Sequence, residues 1–120
     1  KVVLDNGHAH LAHLVVRDLH VVGDPNYEEM LIKKYGIHCD RQAGCDISTG
    51  SLGHGIAIAL GLALATPEKN VYCTVSDGGA TEGSFWECLR LVHDLEIKNL
   101  KIYPIIPGDI LIFFMIYDKF

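Results

Sequence analysis

The chain has 120 residues, 49% of which are hydrophobic, and it carries a formal net charge of −5 at pH 7. This length predicts a single domain over residues 1–120, and the acidic balance argues against nucleic acid as a partner. No run reaches the roughly 18 consecutive apolar residues that a membrane span requires, so we expect no membrane association. The chain does not start with a basic segment followed by an apolar one, and its four cysteines form no CxxC pair. We therefore expect no signal peptide, and reduced thiols in a cytoplasmic protein.

The first third of the chain predicts a short strand and two helices. A brief apolar segment leads into Asp5-Asn6-Gly7, whose composition is typical of a turn. Apolar residues then recur at helical spacing, and Pro25 favours a second helix that Gly36 ends. The predicted elements are a strand over residues 1–4, a helix over residues 8–20 and a helix over residues 27–34.

A polar loop and then a loop of small residues, residues 47–55, precede an almost wholly apolar segment over residues 56–65. A helix that is apolar on every side is expected to be buried on every side. Glycines lower helix propensity. Gly53, Gly55 and Gly61 therefore indicate that another backbone or a ligand lies against them, or that they serve close packing alone.

A central strand is predicted over residues 71–75, where β-forming residues alternate in polarity. An acidic, glycine-rich turn follows at residues 76–79, and Thr81 is expected to cap the next helix. A carboxylate at the carboxyl end of a parallel strand, beside glycines and a helix start, is typical of phosphate and metal sites. Asp77 can hold a hard cation and Gly78 lets a diphosphate approach; the alternative is an ordinary corner with a solvated aspartate. The apolar face expected for the helix is Phe85, Leu89 and Val92, with Trp86 as a further candidate.

The end of the chain predicts a second strand and an apolar segment. Residues 100–106 are expected to lie parallel to the central strand and to complete a βαβ unit. Pro104 favours either an edge strand or early termination of the strand. The continuous apolar run over residues 110–117 predicts a buried strand or a segment that a partner must cover.

Seven histidines and four cysteines leave a transition-metal site open as an alternative. Cys39, Cys45 and His38 lie close in sequence, although their spacing fits no common zinc template. His10 and His13 lie three residues apart on a predicted helix, which suits either a metal pair or surface histidines.

Three ordered blocks of the sequence resemble the diphosphate-binding region of transketolases, which are thiamine-diphosphate enzymes. The blocks are DNGHA at residues 5–9, similar to S-x-G-H-A; DISTGSLGHG at residues 46–55, similar to STGSLGQG; and SDG, EG and WE within residues 76–87, similar to GDG…EG…WE. The resemblance covers about residues 2–103, leaves 104–120 unmatched, and is greatest to stand-alone N-terminal transketolase subunits. It implies a truncated α/β fold of the three-layer, parallel-sheet, thiamine-diphosphate-binding type.

The resemblance implies roles for individual residues. Asp77 would bind the Mg²⁺ or Ca²⁺ ion that holds the diphosphate, and Asp109 falls where its carboxylate can replace a backbone ligand. The residues expected along the thiamine diphosphate are Gly50, Leu52, Gly53, His54 and Gly78. The catalytic candidates are His8 and His38, which would face the substrate, and Glu82, which would lie at the subunit interface.

The sequence also departs from the family pattern. The second metal-binding residue of the motif, an asparagine, would fall thirty residues after Asp77, where this chain has Pro107. We also expect the pyrimidine-binding domain, which in the resembled family carries the glutamate that activates the cofactor, to be supplied by another chain. We therefore expect the chain to be inactive alone and to need a partner chain with that domain, in a homo- or hetero-oligomer.

Two functions follow from the resemblance. In the first, the chain is the diphosphate-binding part of a transferase of carbohydrate metabolism, which moves a two-carbon ketol unit between sugar phosphates. The second, favoured by Pro107 and by the apolar run, is a degenerate, non-catalytic relative that acts as an assembly or regulatory module. A metal-binding protein that uses histidine and cysteine is the third hypothesis.

Overall fold

The computed structural model describes residues 1–5, 9, 27–36 and 38–105. In chain order the elements are β1 (Val2–Leu4), α1 (Tyr27–Tyr35), a 3₁₀ helix (Arg41–Ala43), α2 (His54–Ala65), β2 (Val71–Ser76), α3 (Asp77–Thr81), α4 (Gly83–Asp94) and β3 (Leu100–Ile105). The predicted helix over residues 8–20, apart from Ala9, lies outside the described residues, as do Pro107 and the apolar run over residues 110–117. None of the described helices combines the length and apolar character needed to cross a bilayer.

The three strands form one parallel sheet in the order β1-β2-β3. Val3 pairs with Cys73, and Cys73 pairs with Ile102, so β2 is hydrogen-bonded on both sides. Parallel neighbours need a crossover connection, which α3 and α4 supply between β2 and β3. Pro104 of β3 pairs with Val75 of β2. Because β3 is an edge strand of the described sheet, the missing N–H of proline is tolerated there. This topology confirms the predicted α/β fold and its parallel βαβ unit.

The central strand alternates between a buried and a more exposed face. Val71, Cys73 and Val75 are fully buried, whereas Tyr72 is 40% exposed. The buried face joins the inner residues of α2 and α4 in one apolar core, in which Phe85 is fully buried. Each large side chain of such a core stabilises the fold by about 1.5–3 kcal/mol.

The segment between α1 and α2 folds back on β1. Cys39 and Cys45 are buried beside Leu4. Thr49 Oγ1 donates a hydrogen bond of 2.7 Å to the carbonyl oxygen of Leu4. The Thr49 amide donates to the carbonyl oxygen of Cys39 at 3.1 Å. These contacts bring the next residues, 50–53, to the carboxyl end of β1.

Helix α2 is not buried on every side, so that prediction is wrong. Ile56 and Ala59 are fully buried, but Ile58 is 37% exposed and Leu64 is 53% exposed. One face of α2 packs on the sheet and on α4, and successive helical side chains point in different directions. The apolar residues between the buried positions therefore face away from the core. The helix also begins at His54 rather than at residue 56.

The glycine-rich segment after β2 is a short helix rather than the predicted turn. Ser76 caps it, because its Oγ accepts a hydrogen bond of 3.1 Å from the Gly79 amide. Thr81, the predicted cap of the following helix, lies in the last turn of this one and donates from Oγ1 to Gly78 O at 2.7 Å. The N-cap of α4 is Glu82, whose side chain makes no capping hydrogen bond. The prediction for Thr81 is therefore wrong.

Helix α4 buries Phe85, Cys88 and Val92, which recur at spacings of three and four residues. Leu89 is partly buried against the core, as predicted. Trp86 is 48% exposed and contacts Phe85 edge-on, with ring centroids 5.5 Å apart. Adjacent helical residues point about 100° apart, so Trp86 cannot share the face that Phe85 buries.

Candidate functional site

Two of the predicted cofactor-binding segments meet beyond the carboxyl ends of β1 and β2. The loop at residues 50–53 lies against the start of α3, where a Cβ added to Gly78 would be 3.3 Å from Leu52 Cδ1. Leu52 itself is 50% exposed. Open α/β sheets bind ligands beyond the carboxyl ends of their strands. The meeting point of these segments is therefore the candidate ligand site.

Asp77 is the first residue of α3, and its side chain is exposed. Its Oδ1 accepts a hydrogen bond of 2.8 Å from the Gly78 amide. The carboxylate thus lies one residue away from the glycine that Leu52 contacts. Mg²⁺ is commonly bound through one or two carboxylates together with phosphate oxygens and water. An exposed carboxylate beside a partly exposed glycine fits a cation that is held jointly with a diphosphate.

The start of α4 holds the loop from one side. Gly53 has a φ of 74°, a conformation that favours glycine. Ser84 Oγ donates a hydrogen bond of 3.2 Å to the carbonyl oxygen of Gly53. A Cβ on Gly53 would lie 2.9 Å from Glu82 Cβ, so the predicted interface glutamate lies directly beside the loop.

Two predicted histidines flank the same loop. A Cβ on Gly50 would lie 3.4 Å from His38 Cγ. His54 is the first residue of α2, and its amide donates a hydrogen bond of 3.3 Å to Ser51 O. Both residues are exposed. The fold therefore gathers His38, Gly50 and His54 around one loop, with both imidazoles accessible.

Asp5, which the sequence placed in a turn without a role in the site, also lies in this region. It follows β1 directly and is 2% exposed. Its Oδ1 accepts a hydrogen bond of 2.6 Å from the Gly55 amide, and its Oδ2 accepts one of 3.3 Å from the Gly53 amide. An acidic residue at the end of an apolar strand was the available signal, but the neighbouring asparagine and glycine indicated only a turn.

His8 and Asp109 lie outside the described residues. Their roles toward substrate and metal therefore stay predictions. The same holds for the roles of the site residues that the structure does describe, because their positions alone do not reveal a bound ligand.

The proposed zinc alternative at Cys39, Cys45 and His38 is wrong. Among the described residues, no group of three or more His, Cys, Asp or Glu side chains could hold a metal ion. Burial raises the pKa of the Cys39 thiol to about 11, although a hydrogen bond with Thr49 acts in the opposite direction. His10 and His13 lie outside the described part of the chain.

The two core cysteines are also protonated at neutral pH. Burial, followed by the charges of Asp5 and Cys88, raises the pKa of Cys73 to about 12. Burial, followed by the charge of Glu87, raises the pKa of Cys88. A buried thiol with a raised pKa is a poor nucleophile, so these side chains serve the core rather than catalysis.

One protein family matches most of the chain. The family described as "Thiamine pyrophosphate enzyme, C-terminal TPP binding domain" matches residues 28–98. This range contains the loop at residues 50–53, the start of α3 and Glu82, which are the parts that the fold brings together.

Curated relatives carry transketolase names. Transketolase-like protein 2 of Bos taurus is 32% identical in an alignment of 111 residues, and the match covers 82% of this chain and 17% of that protein. The 6-deoxy-6-sulfo-D-fructose transketolase subunit SqwG of Clostridium sp. (strain MSTE9) is 43% identical in an alignment of 69 residues, and the match covers 52% of this chain and 25% of that protein. Transketolase of Homo sapiens is 37% identical in an alignment of 65 residues, and the match covers 50% of this chain and 10% of that enzyme. The chain thus spans a quarter or less of each of these relatives.

Proposed function

The chain belongs to the thiamine pyrophosphate (thiamine diphosphate) enzymes, and from this membership we propose that it forms the diphosphate-binding part of a transketolase-like transferase. The enzyme would move a two-carbon ketol unit between sugar phosphates. The observation that carries the proposal is the family match over residues 28–98, which includes both segments that meet at Leu52 and Gly78.

The proposed metal is Mg²⁺, with Ca²⁺ as the alternative, held through Asp77. A diphosphate is strongly negative and this chain has a net charge of −5, so a divalent ion is needed to offset their repulsion. The exposed Asp77 carboxylate supplies one oxygen ligand in a position that Gly78 leaves open. Asp109 is proposed as a further ligand, because it falls where the family offers a backbone carbonyl, whereas Pro107 stands in place of the family's asparagine.

The residues around the loop would bind and orient the cofactor and the substrate. When bound, thiamine diphosphate supplies the stabilisation of a carbanion that carbon–carbon bond cleavage requires. We assign Gly50, Leu52 and Gly53 to contacts along the cofactor, with His54 nearby. We assign His38, together with His8, to the substrate side of the site.

The chain would act with a partner that carries the pyrimidine-binding domain. Two of its relatives are named as subunits of transketolases: SqwG, and an apulose-4-phosphate transketolase component of Actinobacillus succinogenes. The chain spans 25% and 23% of their lengths. Glu82, exposed beside Gly53, is the proposed contact across that interface. The proposal includes an oligomer that acts in the cytoplasm on sugar phosphates.

Calorimetric titration of thiamine diphosphate in the presence of Mg²⁺, with and without a candidate partner chain, tests this proposal. We expect saturable binding that chelation of the metal abolishes. Asp77→Asn keeps an oxygen that can accept from the Gly78 amide but removes the charge, and it should weaken metal-dependent binding on the order of 100-fold. Asp94→Asn, at the exposed end of α4, is the matched control and should bind like the wild type. Absence of binding under all of these conditions would refute cofactor use.

The second candidate function is a non-catalytic assembly or regulatory module. Two observations favour it: Pro107 stands at the position of the second metal ligand, and the Asp77 carboxylate already accepts a hydrogen bond from its own neighbour, Gly78. This function predicts self-association through residues 110–117 without any cofactor. Sedimentation of the chain as a monomer at all concentrations would argue against it.

A further inference from the structure

The carboxylate of Asp5 is buried at a point where three segments of the chain converge. It is 2% exposed. A buried charge is costly unless hydrogen bonds compensate for it. At Asp5 the compensation comes from backbone amides of residues about 50 positions further along the chain, so the contact joins distant parts of the sequence.

These hydrogen bonds satisfy the amino end of α2. The first amides of a helix have no partner within the helix, and Gly53, the N-cap residue of α2, has no side chain that could accept from them. Asp5 Oδ1 accepts from the Gly55 amide at 2.6 Å, and Oδ2 accepts from the Gly53 amide at 3.3 Å. Hydrogen bonds to a charged acceptor are stronger than those between neutral groups. Asp5, the residue directly after β1, therefore caps the amino end of α2.

The close approach of Asp5 depends on two glycines. A Cβ on Gly55 would lie 2.6 Å from Asp5 Cα, and a Cβ on Gly79 would overlap Asp5 Oδ2. Asp5 is itself anchored to the sheet, because its amide donates a hydrogen bond of 2.9 Å to Thr74 O on β2. One side chain thus links the end of β1, the start of α2 and the short helix α3.

We propose that Asp5 is a positioning residue: its buried carboxylate holds Gly53 and Gly55 in place and thereby fixes the loop at residues 50–53 against Gly78. Its purpose, a preformed surface for the diphosphate cofactor, rests on the proposed function. The clamp itself does not, because it is made of contacts within the chain.

Asp5→Asn tests the clamp with a side chain of the same shape. The amide oxygen can accept from one of the two glycines, but the NH₂ group then faces the other amide, and two donors cannot pair. We expect the hydrogen-exchange protection of the Gly53 and Gly55 amides to fall roughly tenfold, with smaller losses elsewhere. Thiamine diphosphate, titrated with Mg²⁺ and the partner chain, should bind on the order of 10- to 100-fold more weakly.

Val92→Ala is the control for a loss of stability alone. Val92 is 5% exposed in the core, on the inner face of α4. Its truncation should lower protection throughout the chain and leave cofactor affinity near that of the wild type. Wild-type exchange supplies a measurement that needs no variant, because unprotected Gly53 and Gly55 amides would already overturn the clamp.

The outcomes separate the two proposals. Asp5→Asn with unchanged protection at Gly53 and Gly55 overturns the clamp. Selective loss of protection with wild-type cofactor affinity overturns the positioning role. If the wild type with its partner binds no thiamine diphosphate, the proposed function fails, and amide exchange alone then decides whether Asp5 is a clamp.

Discussion

Leu52 packs against Gly78: its Cδ1 lies 3.3 Å from the position that a Cβ on Gly78 would take. Leu52 belongs to the loop before α2, and Gly78 belongs to the first turn of α3. The contact therefore joins two segments that both lie beyond the carboxyl ends of the strands: the loop near the end of β1 and the first turn after β2. Beside it lies the exposed carboxylate of Asp77, so a partly exposed glycine and an oxygen ligand occur together at the edge of the sheet.

Gly78→Ala is expected to weaken thiamine diphosphate binding roughly tenfold while changing the free energy of unfolding little. The added methyl group meets the flexible end of Leu52, which can move, but it occupies the backbone surface that a diphosphate would approach. Calorimetry with Mg²⁺ and the partner chain measures affinity, and urea unfolding measures stability. The matched control is Gly83→Ala, since a Cβ there meets nothing within 4 Å. Equal affinity of Gly78→Ala and wild type would contradict the prediction.

Two glycines of α2 should respond to alanine in opposite directions. A Cβ on Gly61 meets nothing within 4 Å, so Gly61→Ala should raise the free energy of unfolding by about 0.5–1 kcal/mol. A Cβ on Gly55 would lie 2.6 Å from Asp5 Cα, so Gly55→Ala should lower it by about 1–3 kcal/mol or more. Urea unfolding of both variants measures the difference. Stabilisation by Gly55→Ala would show that Asp5 does not lie against this helix.

The buried thiols are expected to make stability fall as the pH rises above about 9. Cys39 and Cys73 have pKa values of about 11 and about 12 in the folded chain, against 9.0 for an ordinary thiol, because burial disfavours the thiolate. At a pH between 9.0 and these folded-state pKa values, the thiols lose their protons in the unfolded chain but keep them in the folded chain. The contribution to stability is therefore fully present below pH 9 and is lost as the pH rises through the folded pKa values.

Urea unfolding under reducing conditions, repeated from about pH 8 to about pH 10.5, measures this slope. Cys73→Ala should lower stability at every pH, because it leaves a cavity, but it should flatten the decline with pH. An identical slope for the variant and the wild type would mean that Cys73 does not carry a raised pKa.

Asn99→Ala is expected to lower the free energy of unfolding by about 1–3 kcal/mol. Asn99 Nδ2 lies 2.9, 3.0 and 3.1 Å from the carbonyl oxygens of Ala63, Lys69 and Thr66. Its two hydrogens are shared among these three acceptors, at the carboxyl end of α2 and in the turn after it. Urea unfolding measures the loss. Lys98→Ala, at the exposed neighbouring position, is the control and should change stability little. A loss as small as that of the control would show that water replaces Asn99 at these carbonyls.

Local patterns were enough to predict the three strands and the bounds of α1 to within one residue. The alternation of Val71, Cys73 and Val75 with more polar residues predicted β2, because strand side chains point to opposite faces in turn. Gly36 ended α1 as expected, since its φ of 72° suits glycine and does not continue a helix. Pro104 favoured an edge strand or early termination, because proline lacks an amide hydrogen, and β3 lies at an edge of the sheet that the described residues form.

The errors lie where two local signals competed. Ser76 and Thr81 are both good helix caps, and the sequence did not indicate that Ser76 would start a short helix at Asp77. Apolar residues all round α2 predicted complete burial, but composition cannot tell how many sides of a helix meet other elements.

The sequence alone determined three features: the α/β class, the resemblance to transketolases and the carboxylate at the end of β2. Each of them depends on residues that lie close together in the chain. The tertiary structure decided that Asp5 is buried, that Leu52 packs against Gly78 and that His38 lies beside Gly50. These contacts join residues that are far apart in sequence. They form when β1 pairs with β2 and α2 packs on both strands, which brings backbone amides to a carboxylate that would otherwise be solvated.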